Sequence, residues 1–165
     1  MAEKFYRFIH NAMGVLLAWG LLNILAGAVG SVFSRDKFRR QFWLQCLGWG
    51  LVNSLIGGIS QGSYRKKLAR LSELPVESSK EITEEPEPGQ DAWKKNARNI
   101  FIILLVNVFL DVIYVLVGGF IRRDGSVQQK PGKAGIGFAF MIQGIFLFLF
   151  DGVLSFLIGR RWQKS

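Results

Sequence analysis

Half of the 165 residues are hydrophobic and 19 are glycine, a pairing that suits a bilayer better than water. The formal charge of +9 comes from 21 Lys and Arg against 12 Asp and Glu. These charges gather between long apolar stretches, which excludes the usual pattern of a nucleic-acid binder. A single cysteine, Cys46, excludes an internal disulfide, and with a single histidine, His10, neither a metal centre nor any other cofactor is expected.

Four stretches are long and apolar enough for a bilayer core of about 30 Å, which takes roughly 20 residues of helix. In chain order they cover 11–33, 41–60, 99–121 and 134–159. Continuous apolarity without alternation favours helices over barrel strands. The expected fold is therefore all-α, a membrane protein of four transmembrane helices arranged as two antiparallel hairpins in a single domain. Lys4 and Arg7 ahead of the first stretch, with Ala26-Gly27-Ala28 inside it, resemble a secretory signal. The apolar run continues to Phe33, however, and favours a retained helix. The short 34–40 link closes the first hairpin, and 121–133 closes the second.

Between the hairpins, residues 72–91 read SELPVESSKEITEEPEPGQD, too acidic and too poor in apolar residues to offset ordering entropy. A disordered loop is expected there, read as a solvated linker, with a docking segment as the other reading. Tyr6, Trp43, Tyr64, Trp93 and Trp162 stand at the ends of the four stretches, as an interfacial aromatic belt does. Lys and Arg number 13 on the side of the termini and 8 on the other. That bias places both termini in the cytoplasm of a bacterial cell, with the chain integral to its cytoplasmic membrane. Arg65, Lys66, Lys67 and Arg70 follow the second helix directly, where they either contact anionic headgroups or serve only as a topology signal.

The first two helices share a pattern. Trp19, Asn23 and Gly27 in one, and Trp49, Asn53 and Gly57 in the other, fit W-G-L-x-N-x-L-x-G. A short internal repeat is the economical explanation, with the two motifs facing each other and each Asn near mid-depth. The third helix carries Asn107, Asp111, Tyr114 and Gly118 on one stripe. The fourth carries Gly144, Phe148, Asp151, Ser155 and Gly159, with Gln143 at the edge. An aspartate at a helix centre costs about 2.5–3.5 kcal/mol on insertion scales, and no Lys or Arg lies within either stretch. Neutralisation must come from protons, a bound cation, water with surface arginines, or amide donors. The four stripes are expected to converge on an interior cluster. The runs Gly57, Gly58, Gly62 and Ala26, Gly27, Gly30 permit close helix approach.

Catalytic signatures are lacking. Gly132-Lys133 is followed by Ala134 and has no glycine five positions before Gly132, so it is no phosphate loop. No Ser, His and Asp set suggests nucleophilic catalysis, and the chain is not expected to be an enzyme.

Trp19 with Asn23 and Gly27, Trp49 with Val52 and Asn53, Leu110-Asp111 with Tyr114 and Gly118, Gly135, Gly137, Gln143-Gly144 and Asp151 together carry a resemblance. The chain resembles an uncharacterised family of small bacterial four-helix integral membrane proteins, classed as a domain of unknown function. Gly50 and the 72–91 loop depart from the pattern. The resemblance implies the four-helix fold and no activity.

Two functional readings follow. In the first, Asp111 and Asp151 bind a proton or small cation in a transport or permeation protein, with Asn23, Asn53, Asn107, Tyr114 and Gln143 as neutral ligands. Four helices enclose little space, so this reading includes a homo-oligomer. In the second, the cluster fixes helix register in a structural or assembly subunit of a larger membrane complex, with a membrane-protein partner.

Overall fold

The computed structural model describes residues 1–73 and 91–162. The described part is all-α, with four helices and no strand: α1 (Ala2–Phe33), α2 (Lys37–Glu73), α3 (Asp91–Val127) and α4 (Pro131–Trp162). All four are long and apolar enough to cross a membrane. Each outruns its apolar stretch. α1 begins at Ala2 rather than Asn11, and α2 continues past Ser60 to Glu73, so Ser72 is helical. The remainder of the acidic segment up to Gln90 lies outside the described residues.

Local chemistry sets the two short connections. Asp36 caps α2 by accepting a hydrogen bond from the Arg39 amide at 2.8 Å. At the other turn, the Lys130 amide donates to the Gly125 carbonyl at 2.7 Å and the Gln129 amide to that of Ser126 at 3.2 Å. Gln129 takes the left-handed conformation, φ 54°, between them. This is a Schellman ending, and Pro131 follows at the first position of α4, where its missing N–H costs nothing.

Glycines set the spacing within each hairpin. A Cβ at Gly20 would lie 2.5 Å from the Ser54 amide nitrogen, one at Gly27 2.6 Å from that of Leu47, and one at Gly57 2.8 Å from that of Leu17. Rising numbers on α1 meet falling numbers on α2, so the two run antiparallel with their backbones nearly touching. In the second hairpin Gly137 faces Gly118 and Arg122, while Gly144 faces Asp111 and Val115, again antiparallel. The hairpins join chiefly through α2 and α4, which run parallel. Phe42 meets Phe138, and Trp49 meets Phe140, at ring-centroid distances of 5.6 and 5.7 Å. Gly62 belongs to no such contact; nothing lies within 4 Å of its would-be Cβ. Its place in the close-packing glycine run is therefore corrected: Gly62 is exposed and faces away from α1, although Gln61 and Tyr64 on either side still meet that helix, and Gly58 meets only a Leu17 methyl at 3.9 Å.

Burial is inverted relative to a protein in water. Leu22, Leu25, Val29, Leu55, Ile59, Phe109, Leu116, Phe120 and Phe156 are exposed, while Asn23, Asn53, Asp111, Gln143, Asp151 and Ser155 are buried. The best-packed apolar core sits at the end where the termini meet, built from Phe5, Tyr6, Ile9, Trp93, Ala97, Leu104, Leu154, Ile158 and Trp162. Tyr6, Trp93 and Trp162 are thus core residues there rather than an outward-facing belt. The helical extensions bring them together: Phe5 packs edge-on to Trp162 at 5.5 Å, and the Tyr6 hydroxyl accepts from Asn96 Nδ2 at 3.0 Å.

Candidate functional site

The interior polar groups form two linked parts. The first is a closed network between α1 and α4. Trp19 Nε1 donates to Gln143 Oε1 at 3.0 Å, and Gln143 Nε2 donates to Asn23 Oδ1 at 2.6 Å. Asn23 Nδ2 then donates to its own helix, at the Trp19 carbonyl, 2.9 Å away. The spacing of four puts Trp19 and Asn23 on one face, where a single carboxamide answers both. The Trp19 ring is held by a stack on Phe146, centroids 4.0 Å apart. Gln143 is 0% exposed, and the buried Cys46 thiol lies against its side chain.

The second part lies between α2, α3 and α4. Trp49 meets Tyr114 edge-on at 5.4 Å, and both rings pack on Phe140. Because α2 and α3 run antiparallel, Asn53, four residues onward from Trp49, and Asp111, three residues back from Tyr114, both lie on the termini side of the Trp49–Tyr114 contact. Gly144 beside the Asp111 carbonyl, and Gln143 bonded to Asn23, set Asp111 alongside the first network. Asp151 stands two turns further along α4 towards the termini, close enough to Asp111 for their charges to interact, with the Asn107 amide positioned to donate to it.

Asn53 and Asp111 are 2% and 3% exposed. Even so, Trp49 Nε1, Asn53 Nδ2, Ser54 Oγ and Asp111 Oδ2 have no hydrogen-bond partner among the described residues. Ser54 itself points towards Gly20 on α1.

Most of the expected cluster is thus assembled, with three corrections. The motifs of α1 and α2 do not face each other through their polar groups. Their glycines meet, but Trp19 and Asn23 turn to α4, while Trp49 turns to α3 and α4. Close backbone contact along one side of each helix leaves the large side chains the other side. Phe148 departs from the α4 stripe and is 40% exposed, beside Ile145 and Val112. Asn107 and Tyr114 are half-buried rather than enclosed. Sequence reasoning missed Cys46 and Ser54. Cys46 precedes Trp49 by three residues and Asn53 by seven, so it stands on their stripe and the spacing could have found it, whereas Ser54 lies one residue past Asn53, on the face that Gly50 and Gly57 turn to α1.

Arg65, Lys66, Lys67 and Arg70 are exposed on the extension of α2, with Lys67 Nζ 5.3 Å from the centroids of both Tyr6 and Tyr64. At the opposite end Lys133 pairs with Asp124, and its ammonium holds that carboxyl below the usual aspartate range. Three grooves line the outside: one of about 690 Å³ between Val29 and Trp43, bordered by Arg35, Asp36 and Arg39, and two apolar ones of about 520 and 230 Å³ between Phe8 and Phe146 and between Val112 and Phe148. The polar cluster lines none of the three.

Residues 15–152 match the model of a family of unknown function, DUF6992, a stretch that takes in every member of both networks. The chain belongs to that family. No curated protein and no solved structure matches it. The match stops short of Phe5 and Trp162, so the aromatic core at the termini lies partly outside the DUF6992 region.

Proposed function

We propose that the four helices integrate the chain in a membrane and that Asp111, with Asp151 beside it, binds a proton or small monovalent cation in a transport or permeation function. One observation carries this reading: a carboxyl oxygen, Asp111 Oδ2, is buried without a hydrogen-bond partner among the described residues. No Lys or Arg lies within 99–121 or 134–159 to balance it. Intramembrane acids placed on a bundle interior mark ion and proton paths. The inverted burial supports insertion, since hydrocarbon accepts the exposed leucines and phenylalanines and rejects the buried amides. The charge bias supports termini in the cytoplasm of a bacterial cell, and the exposed Arg65, Lys66, Lys67 and Arg70 suit anionic headgroups there. Like spacing in the W-x-x-x-N stretches favours an internal repeat, and a pathway wider than four helices enclose calls for a homo-oligomer.

A second reading, as an assembly subunit, draws support from the closed Trp19, Gln143 and Asn23 network and the backbone contact at Gly57, which fix register without any path. Reconstitution in liposomes separates the two. Under the first reading, imposed pH, Na⁺ or K⁺ gradients dissipate faster with protein than without, and Asp111→Asn reduces the rate at least tenfold. Equal rates in empty and loaded vesicles would remove it. Under the second, Asp111→Asn is silent and Gly57→Leu abolishes assembly.

A further inference from the structure

The link from α1 to α2 is only Ser34 to Asp36, so charged side chains stand directly on the ends of two apolar helices. Arg35 lies in the link and Arg39 one turn into α2, and both are exposed. Arg39 Nε pairs with Asp36 at 3.3 Å, whereas Arg35 forms no ion pair among the described residues. Beneath the arginines the surface turns hydrophobic. Gly30 has no side chain, so the Trp43 ring lies against the backbone of α1 at that point. Val29 and Phe33 beside it are exposed, and Phe138 of α4, 5.6 Å from Phe42, closes the far wall. These side chains bound the groove of about 690 Å³.

We propose that this groove binds one anionic phospholipid, its phosphate held by Arg35 and Arg39 and its upper acyl chain laid along Val29, Phe33 and Trp43. Depth and charge both support that occupant. From Asp36 to Trp43 is seven residues, about 10 Å of helix rise, enough to cross a headgroup layer of about 5–8 Å and enter the hydrocarbon. A guanidinium matches phosphate oxygens in shape and charge, and Arg35, Asp36 and Arg39 together leave one net positive charge at the mouth. Arg122 adds to it, its Cζ 4.8 Å from the centroid of Phe138. A free inorganic anion would satisfy the arginines but leave Val29 and Phe33 bare. A zwitterionic lipid would cover the apolar wall, yet its own cation offsets the attraction. The proposal rests on membrane insertion of the four helices and not on ion binding at Asp111.

The test uses the full-length protein in nonionic detergent micelles, titrated with phosphatidylglycerol or phosphatidylcholine brominated near the top of the acyl chains, a short-range quencher of tryptophan fluorescence. Phosphatidylglycerol is expected to half-saturate the quenching at about fivefold lower concentration, the effect of one net basic charge at a membrane surface. Arg35→Gln combined with Arg39→Gln should equalise the two lipids while leaving the SDS unfolding curve in place, and Trp43→Phe should remove the saturable part of the signal. Equal half-saturation in the wild type would overturn the proposal, as would quenching that survives Trp43→Phe. So would a preference lost with Arg65→Gln and Lys66→Gln instead, which assigns it to the other end of the bundle, or release of the lipid by inorganic phosphate at constant ionic strength, which assigns the arginines to a free anion. Ion flux without lipid preference sinks the groove and leaves the proposed function; preference without flux does the reverse. A chain that stays in solution without detergent would remove the membrane reading beneath both.

Discussion

Replacing Gln143 by leucine tests the closed network. The two side chains are close in volume, so little cavity forms, but Trp19 Nε1 loses its acceptor and Asn23 Oδ1 its donor. In a water-soluble core each buried group so stranded costs about 1–3 kcal/mol. Between helices in hydrocarbon the measured coupling averages about 0.6 and reaches about 1.7 kcal/mol, because the separated helices find other partners. Two bonds on this smaller scale give an expected loss of about 1–3 kcal/mol for Gln143→Leu. Trp19→Phe removes one of the two bonds and keeps an aromatic ring against Phe146. If Trp19 and Gln143 interact as described, the double variant loses less than the sum of the singles, by about 0.6–1.7 kcal/mol. Reversible unfolding in mixed micelles, followed by circular dichroism as SDS is raised, measures all four corners of the cycle. Additivity within about 0.3 kcal/mol would refute the network.

Other perturbations reach the packing and the charged turn. A Cβ at Gly137 would lie 2.3 Å from the Arg122 amide nitrogen and 2.5 Å from the Gly118 carbonyl oxygen, backbone atoms that cannot swing aside. Gly137→Ala should therefore cost roughly 1–3 kcal/mol, whereas Gly62→Ala, with nothing within 4 Å, should be neutral or gain up to about 1 kcal/mol from helix propensity. The same unfolding assay decides, and equal effects at the two sites would contradict the described crossings. Asp124→Asn removes the partner of Lys133. Because the folded carboxyl titrates below its unfolded value, its contribution is full above the ordinary aspartate pKa of about 3.9 and fades as pH falls through the lower folded value. The gap in melting temperature between wild type and Asp124→Asn should thus be open at neutral pH and close in strong acid; a gap independent of pH would argue against the pair.

The four helices were legible because an apolar run of twenty residues without alternation has few other uses. Their true lengths were not. Ala2 to His10 and Gln61 to Glu73 are mixed in polarity, and only the packing of Phe5, Tyr6, Tyr64 and Trp93 at the shared end shows why they continue as helix. The burial of Asn23, Asn53, Asp111, Gln143 and Asp151 was equally legible, since spacings of three and four place such residues on one face and leave them a common interior.

Which of them touch was not. The W-G-L-x-N-x-L-x-G stretches look alike in sequence, yet Trp19 and Asn23 are answered by Gln143 while Trp49 and Asn53 are answered by no described side chain. Sequence by itself determined the number of helices and their polar faces, because each depends on periodicity within one element. Tertiary structure alone decided how the hairpins meet. That choice depends on rotation and depth between elements, and a shift of one residue turns a helix by about 100° and points a side chain at a different neighbour.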